Sequence, residues 1–190
     1  MCGLPFLSTE VGDHLCGKCL AGEFYFDRAR SVAFYKGVLR EGLHKFKYEG
    51  GFSFGGVLSQ ILVHNFPDDL SDPDLVVPVP LYLGRLKSRE YNQSVILGKA
   101  LAKYLGVSFD QFLLKRVRDT KPQFEVGGEK ERLSNVRGAF GVVQPDKIGE
   151  KKVLLIDDVF TTGATVSECA RVLKKSGAKR IEVITLMRAV

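Results

Sequence analysis

The chain has 190 residues, 45% of them apolar and 26% charged, a composition that excludes a mostly disordered, collagen-like or coiled-coil chain. Its net charge of +6, from 28 Lys+Arg against 22 Asp+Glu, fits a protein that handles phosphates, nucleotides or nucleic acid, although a solvated basic surface would look the same. The longest apolar stretch, Leu75 to Leu83, is broken by Pro78 and Pro80 and falls far short of the ~20 residues that span a bilayer; no membrane insertion is expected, and without a visible signal peptide a cytoplasmic location is the default.

Residues 1–26 are rich in Gly and Cys, have no clear helical period, and read as a small stub ahead of one domain over 27–190. Within the stub, Cys16-Gly17-Lys18-Cys19 has zinc-knuckle spacing, because a cytosolic chain seldom builds disulfides and two such thiolates can share one tetrahedral ion. Arg30 to Phe34 can form a short strand. A helix follows with Leu39, Gly42, Leu43 and Phe46 on one face, ended by Gly50-Gly51. A second places Phe54, Val57, Leu58, Ile61 and Leu62 at helical spacing. After a loop from Pro67 to Asp74, Leu75 to Pro80 reads as a buried strand closed by prolines. Asn92 can cap a helix with Leu97, Ala100, Leu101, Tyr104 and Leu105 on one face, stopped by Gly106. Leu113 to Arg118 reads as another strand. The polar, basic stretch Asp119 to Arg137, interrupted by Gly127-Gly128, reads as a partly mobile loop. Lys152 to Ile156 is a second buried strand, Thr165 to Lys175 a helix ended by Gly177, and Ile181 to Leu186 a last strand. Strand, helix and strand with short joints make a βαβ unit, so the fold class is α/β with a parallel sheet flanked by helices.

Val153 to Thr165 carries the chemistry. Asp157 and Asp158 follow a buried strand, and ligands of open α/β sheets bind at such carboxyl ends. The loop Thr161-Thr162-Gly163-Ala164-Thr165 then opens a helix. Helix N-terminal N–H groups and threonine hydroxyls hold phosphate, and Gly163 lets the backbone approach it. Carboxylates are poor phosphate ligands but good acceptors from sugar hydroxyls. The run therefore suits a phosphate at one end and a ribose diol at the other, against the plainer reading of a capped strand-to-helix turn.

That run resembles the phosphoribosyl pyrophosphate (PRPP) loop of type I phosphoribosyltransferases. Phe26-Asp27-Arg28-Ala29-Arg30, His44-Lys45-Phe46-Lys47-Tyr48, Val77-Pro78-Val79-Pro80-Leu81, Tyr91-Asn92-Gln93 and Asn135-Val136-Arg137-Gly138-Ala139-Phe140 are similar to the ComF/GntX group, in order over nearly the whole chain. The resemblance implies a type I phosphoribosyltransferase-like sheet and a Mg²⁺-dependent enzyme that moves phosphoribosyl from PRPP to a nitrogenous acceptor. Asp157 and Asp158 would bind the ribose, and Thr161, Thr162, Gly163, Ala164 and Thr165 the 5′-phosphate. Val79, Pro80 and Leu81 fall where the pyrophosphate loop lies, followed by Arg85, Lys87 and Arg89. Arg89 and the two aspartates are the catalytic candidates, since basic groups beside Mg²⁺–pyrophosphate stabilise it as a leaving group. Lys115 to Arg137 would be a covering flap, with Arg118, Lys121, Arg132 and Arg137 as anion contacts. In 6-oxopurine enzymes an acidic residue stands at the position of Thr161; a threonine cannot do that proton transfer at neutral pH, which disfavours hypoxanthine and guanine.

The group carries a second Cys-x-x-Cys upstream, of which Cys2 matches the latter half. With Cys2, Cys16 and Cys19 as zinc ligands, three explanations stay open: a start further upstream, a degenerate site, or His14 as the fourth ligand. Cys169 reads as a core residue and His44 and His64 as packed or surface histidines. Membership is also linked to DNA uptake in natural competence. The second functional reading is thus a non-catalytic PRPP-binding module that partners single-stranded DNA or a competence helicase, hinted at by Phe46, Lys47 and Tyr48. A homodimer is common among relatives.

Overall fold

The structure is a computed structural model that describes residues 1–5, 14–48, 52–70, 72–82, 84, 86, 90–120 and 126–189. Its main sheet has five strands: β1 (Arg28–Phe34), β2 (Leu75–Pro78), β3 (Ser108–Phe109), and then β6 (Lys152–Phe160) and β7 (Arg180–Arg188). Their order across the sheet is β1-β7-β6-β2-β3 and every pairing is parallel. β4 (Leu114–Arg116) and β5 (Phe140–Val142) form a separate antiparallel pair.

Helices cover both faces. On one lie α2 (Gly37–Tyr48), α3 (Phe52–His64) and α4 (Gln93–Leu105), which bury Leu43, Phe46, Leu62, Leu97 and Leu101 with Val76, Leu154, Ile156 and Ile184 of the sheet. On the other lies α6 (Ala164–Lys175). Its Val166, Cys169, Ala170 and Leu173 join Val77, Val153, Leu155 and Val183. Strand residues that alternate between two buried faces explain the unbroken apolar runs. The N-terminal segment belongs to the second core: Cys2, Cys19 and Phe26 are buried in it, with Phe24 packed alongside.

Three differences from the sequence expectation have physical causes. β6 runs to Phe160, past the expected Ile156, because it stays paired with β7 from Asp157↔Thr185 to Phe160↔Arg188; pairing overrides the low strand preference of aspartate. The polar loop contains a helix, α5 (Glu129–Val136), and the cysteine stub contains the four-residue helix α1 (Gly17–Leu20). The Asn92 cap is as expected: its Oδ1 accepts from the Ser94 N–H, and Gly106 closes α4 in the left-handed conformation. Among the described residues no helix is long and apolar enough to cross a membrane.

Candidate functional site

The connection from β2 to β3 passes through α4 on one face, and that from β6 to β7 passes through α6 on the other. The chain therefore leaves the adjacent strands β2 and β6 in opposite directions. Their carboxyl ends open a crevice at a topological switch point, the place where open α/β sheets bind ligands. Asp157 and Asp158 stand there at the end of β6, and Val79, Pro80 and Leu81 leave β2 beside them. The Val79 N–H donates to Ile156 O (2.9 Å), and Asn92 Nδ2 donates to Val79 O (2.9 Å). The first residue of this loop is thus tied both to β6 and to the cap of α4.

The two carboxylates have different surroundings. Asp157 Oδ1 accepts from Ser94 Oγ of α4 (3.0 Å) and from the Asp158 N–H (2.9 Å). Burial, reinforced by the like charge of Asp158, pushes its carboxyl up to about 7, against those hydrogen bonds and the charge of Lys47. Asp158 Oδ2 pairs with Lys47 Nζ at 2.8 Å, both side chains being mostly buried at 15% and 19% exposed. Lys47 lies in the last turn of α2, and Tyr91 Oη donates to Phe46 O just before it. Ser94 is a candidate that the sequence argument missed, and Lys47, read there only as a hint of nucleic-acid contact, stands instead at the aspartate pair. The signal was there in His44-Lys45-Phe46-Lys47-Tyr48, but a pairing across more than half the chain cannot be read from spacing.

After Phe160 the loop turns into α6. Gly163 takes φ +81°, a left-handed conformation that favours glycine. A Cβ there would stand 2.7 Å from Phe160 Cζ and 2.9 Å from Phe24 Cε1. Thr162 Oγ1 sits 3.4 Å from the Ala164 N–H as its acceptor. Thr161 is exposed, Thr162 and Thr165 are half-buried, and Gly163 and Ala164 are buried. The first-turn N–H groups of a helix lack intrahelical acceptors and gather positive potential. The structure thus brings together Asp157, Asp158, Thr161 to Thr165 and Val79 to Leu81.

Arg85, Lys87, Arg89 and Lys121 lie outside the described residues. Of the other flap cations, Arg118 donates to the carbonyls of Asn135 (2.9 Å) and Arg137 (2.8 Å), and Arg132 Nε to Val126 O (3.2 Å). These two hold their own segment's backbone. Arg137 lines a cavity of about 670 Å³ between α5 and α6, together with Tyr25, Lys130, Glu168 and Arg171.

The cysteines converge. The Sγ atoms of Cys2, Cys16 and Cys19 all lie within 4.8 Å of one another, and Cys2 and Cys16 are 3.5 Å apart. Sulfurs on one tetrahedral zinc at ~2.3 Å each are about 3.8 Å apart, so the three thiols fit a zinc ion. His14, considered as a fourth ligand, does not join the cluster: it is exposed while the thiols face the core. Burial pushes the Cys19 thiol up to about 11. Burial also opposes ionisation of Cys16, but hydrogen bonds from the Cys19 backbone and the neighbouring thiols outweigh it and hold that thiol below its usual range. Cys169 is fully buried under the sheet, and burial raises its thiol well above the usual range. His64 Nδ1 bonds Gln60 O (2.8 Å) and His44 packs its ring on Tyr48 (4.9 Å), both on exposed residues.

Comparison with known proteins identifies relatives of this chain. The phosphoribosyl transferase domain family matches residues 91–189. The chain is 32% identical to "Competence protein F" of Haemophilus influenzae over 92% of its own length and 78% of that protein. It is 32% identical to "DNA utilization protein YhgH" of Salmonella typhimurium, over 98% and 82%. Among solved structures, adenine phosphoribosyltransferase of Leishmania tarentolae aligns over 72% of this chain and 71% of that one, with 16% identity and a TM-score of 0.44.

Proposed function

Because the chain belongs to the phosphoribosyl transferase domain family, in the group of competence protein F and YhgH, we propose that it binds PRPP with Mg²⁺ and transfers phosphoribosyl to a nitrogenous acceptor. The observation that carries this reading is the pair Asp157–Asp158 followed by the left-handed Gly163 turn into α6, all at the switch point. Asp157 and Asp158 accept from the ribose hydroxyls. The amides and hydroxyls of Thr161 to Thr165 hold the 5′-phosphate. Val79 to Leu81 would meet the Mg²⁺–pyrophosphate group, Mg²⁺ arriving with the substrate; Arg85, Lys87 and Arg89 are assigned to it from the sequence alone.

In the transfer, the acceptor nitrogen bonds the anomeric carbon as the bond from that carbon to pyrophosphate oxygen breaks, and a proton carried by that nitrogen passes to solvent. The electron pair leaves with pyrophosphate. The chain's residues act by position and charge: the anionic pair lies beside a ribose that gains positive character, and the basic side chains lie beside a leaving group that gains negative charge. Lys47 bridges these roles, since ribose hydroxyls must share or displace its contact with Asp158.

Calorimetric titration with PRPP, with and without Mg²⁺, tests this directly. Micromolar binding that needs Mg²⁺ and is lost in Asp158→Asn is the expected result; unchanged affinity in that variant removes the site from β6. The second reading, a nucleic-acid partner, is favoured by cation–aromatic pairs on exposed residues near the ends of β1 and α2. Lys36 lies over Phe34 (5.3 Å) and Lys45 over Phe54 (5.8 Å), and Tyr35, Arg40 and Tyr48 are also exposed. Stacking surfaces among cations suit single-stranded DNA. Binding of an oligonucleotide that falls steeply with salt and weakens in Tyr35→Ala supports it; no binding at low salt removes it.

A further inference from the structure

The cysteine cluster and the phosphate loop are built into one another. Arg188, at the end of β7, is 6% exposed and buried between them. Its guanidinium lies 4.5 Å over the Phe160 ring. Nη1 donates to Cys2 O (2.8 Å), and Nη2 is 4.0 Å from Cys2 Sγ. Nε has no hydrogen-bond partner, and no carboxylate lies within ion-pair distance among the described residues. A buried cation without a counter-ion is costly. Three thiolates on one divalent cation carry one net negative charge, which is the counter-ion this guanidinium lacks.

A second path runs through aromatic rings. Phe24 and Phe26 follow α1 and stack on each other at 4.8 Å. Both meet Phe160 edge-on, with centroids at 6.5 Å and 6.1 Å. Phe24 also fills the space above Gly163, where a Cβ would touch it. Between the two rings, the Tyr25 N–H donates to Ser167 Oγ of α6 (3.2 Å). At the strand end, the Ala189 N–H donates to Phe160 O (2.9 Å). Anything that fixes the Cys16–Cys19 turn therefore fixes what presses on the loop.

We propose that the three-thiol cluster governs the phosphate loop: a thiophilic divalent cation held by Cys2, Cys16 and Cys19 locks the Phe24–Phe26 wedge and Arg188 against Phe160 and Gly163, and so raises the loop's affinity for its anion. The anion being the 5′-phosphate of PRPP rests on the function proposed above; the mechanical link does not. By linkage the anion raises the affinity for the metal by the same factor, of about fivefold or more for couplings of the usual size.

The test uses the full chain stripped of metal by a chelator under reductant, then reloaded with zinc. Hydrogen exchange of the amides over 160–167 is compared with that of α4. Zinc affinity is read by competition with a chromophoric chelator, with and without ribose 5-phosphate. The expected result is loop exchange slowed about fivefold or more by zinc, α4 unchanged, and zinc bound about fivefold more tightly with ribose 5-phosphate present. Arg188→Gln is expected to weaken zinc binding about tenfold. Phe24→Leu, a milder change, is expected to keep zinc binding and lose the protection over 160–167, so the test stands even if the arginine variant does not fold. Protection confined to the cysteine segment overturns the proposal whether or not PRPP binds. Zinc-dependent loop protection with inorganic phosphate bound but PRPP rejected supports the link and refutes the PRPP reading alone.

Discussion

Asp157→Asn should make the protein more stable and less functional, with a pH dependence that identifies the cause. The ordinary value of this carboxyl is 3.8, and burial beside Asp158 takes it to about 7. A raised acid is protonated in the folded state where the unfolded chain has already lost the proton. Stability therefore falls as pH rises between about 4 and 7, and the full cost is present above 7. A difference of about 3, at about 1.36 kcal/mol each, bounds that cost at about 4 kcal/mol. Because Asp157 is only partly buried and solvent screens part of its interaction, about half is expected from one substitution. Asparagine is neutral throughout, and its Oδ1 can still accept from Ser94 Oγ and the Asp158 N–H. Urea unfolding at pH 8 should give the variant about 2 kcal/mol more stability than the parent, with an unchanged denaturant slope. Near pH 4 the gain should vanish. Equal stability at pH 8, or a gain of the same size at both pH values, refutes the reasoning. The same variant should lose PRPP affinity, because a carboxamide is a poorer acceptor from ribose hydroxyls than a carboxylate.

Three further perturbations follow from the same site. Lys47→Met removes the partner of a mostly buried Asp158 and should cost about 2–3 kcal/mol at pH 8 in urea unfolding, less at pH 5, where Asp157 holds its proton and no longer repels Asp158. Gly163→Ala meets a left-handed φ and two aromatic rings; it should destabilise by about 2 kcal/mol or more and weaken ribose 5-phosphate binding in a calorimetric titration. With Thr161 where 6-oxopurine enzymes carry an acid, the purified protein should form no appreciable IMP or GMP from PRPP by chromatographic assay; robust formation of either sinks the assignment of Thr161.

The residues that announce themselves in the sequence are those whose role is local. Asn92 and Gly106 bracket α4 because a cap needs only its own turn. Thr161 to Thr165 lead into α6 because the Thr-Thr-Gly-Ala-Thr run is one strand-to-helix joint. What stayed hidden is non-local or lacks contrast. The helix Glu-Lys-Glu-Arg-Leu-Ser-Asn-Val has no apolar stripe for a period to reveal, and Val136 is its one residue in the buried core. The strand order, and with it the switch point, depends on which strands pair across long connections.

Lys47 shows the limit most sharply. The sequence places it in an amphipathic helix among aromatics, where a nucleic-acid contact is an equally natural role. Only the fold carries the end of α2 over the carboxyl end of β6 and sets its ammonium 2.8 Å from Asp158. A cation held there lets two carboxylates share a partly buried site ahead of any substrate. On the function proposed above, a ribose competes with an intramolecular partner for Asp158. Measured PRPP affinity will therefore report the difference between two sets of contacts rather than the strength of one. A double-mutant cycle of Lys47→Met with Asp158→Asn, read by urea unfolding, isolates that partner's share. A coupling energy near zero would mean that Lys47 serves the substrate rather than the fold.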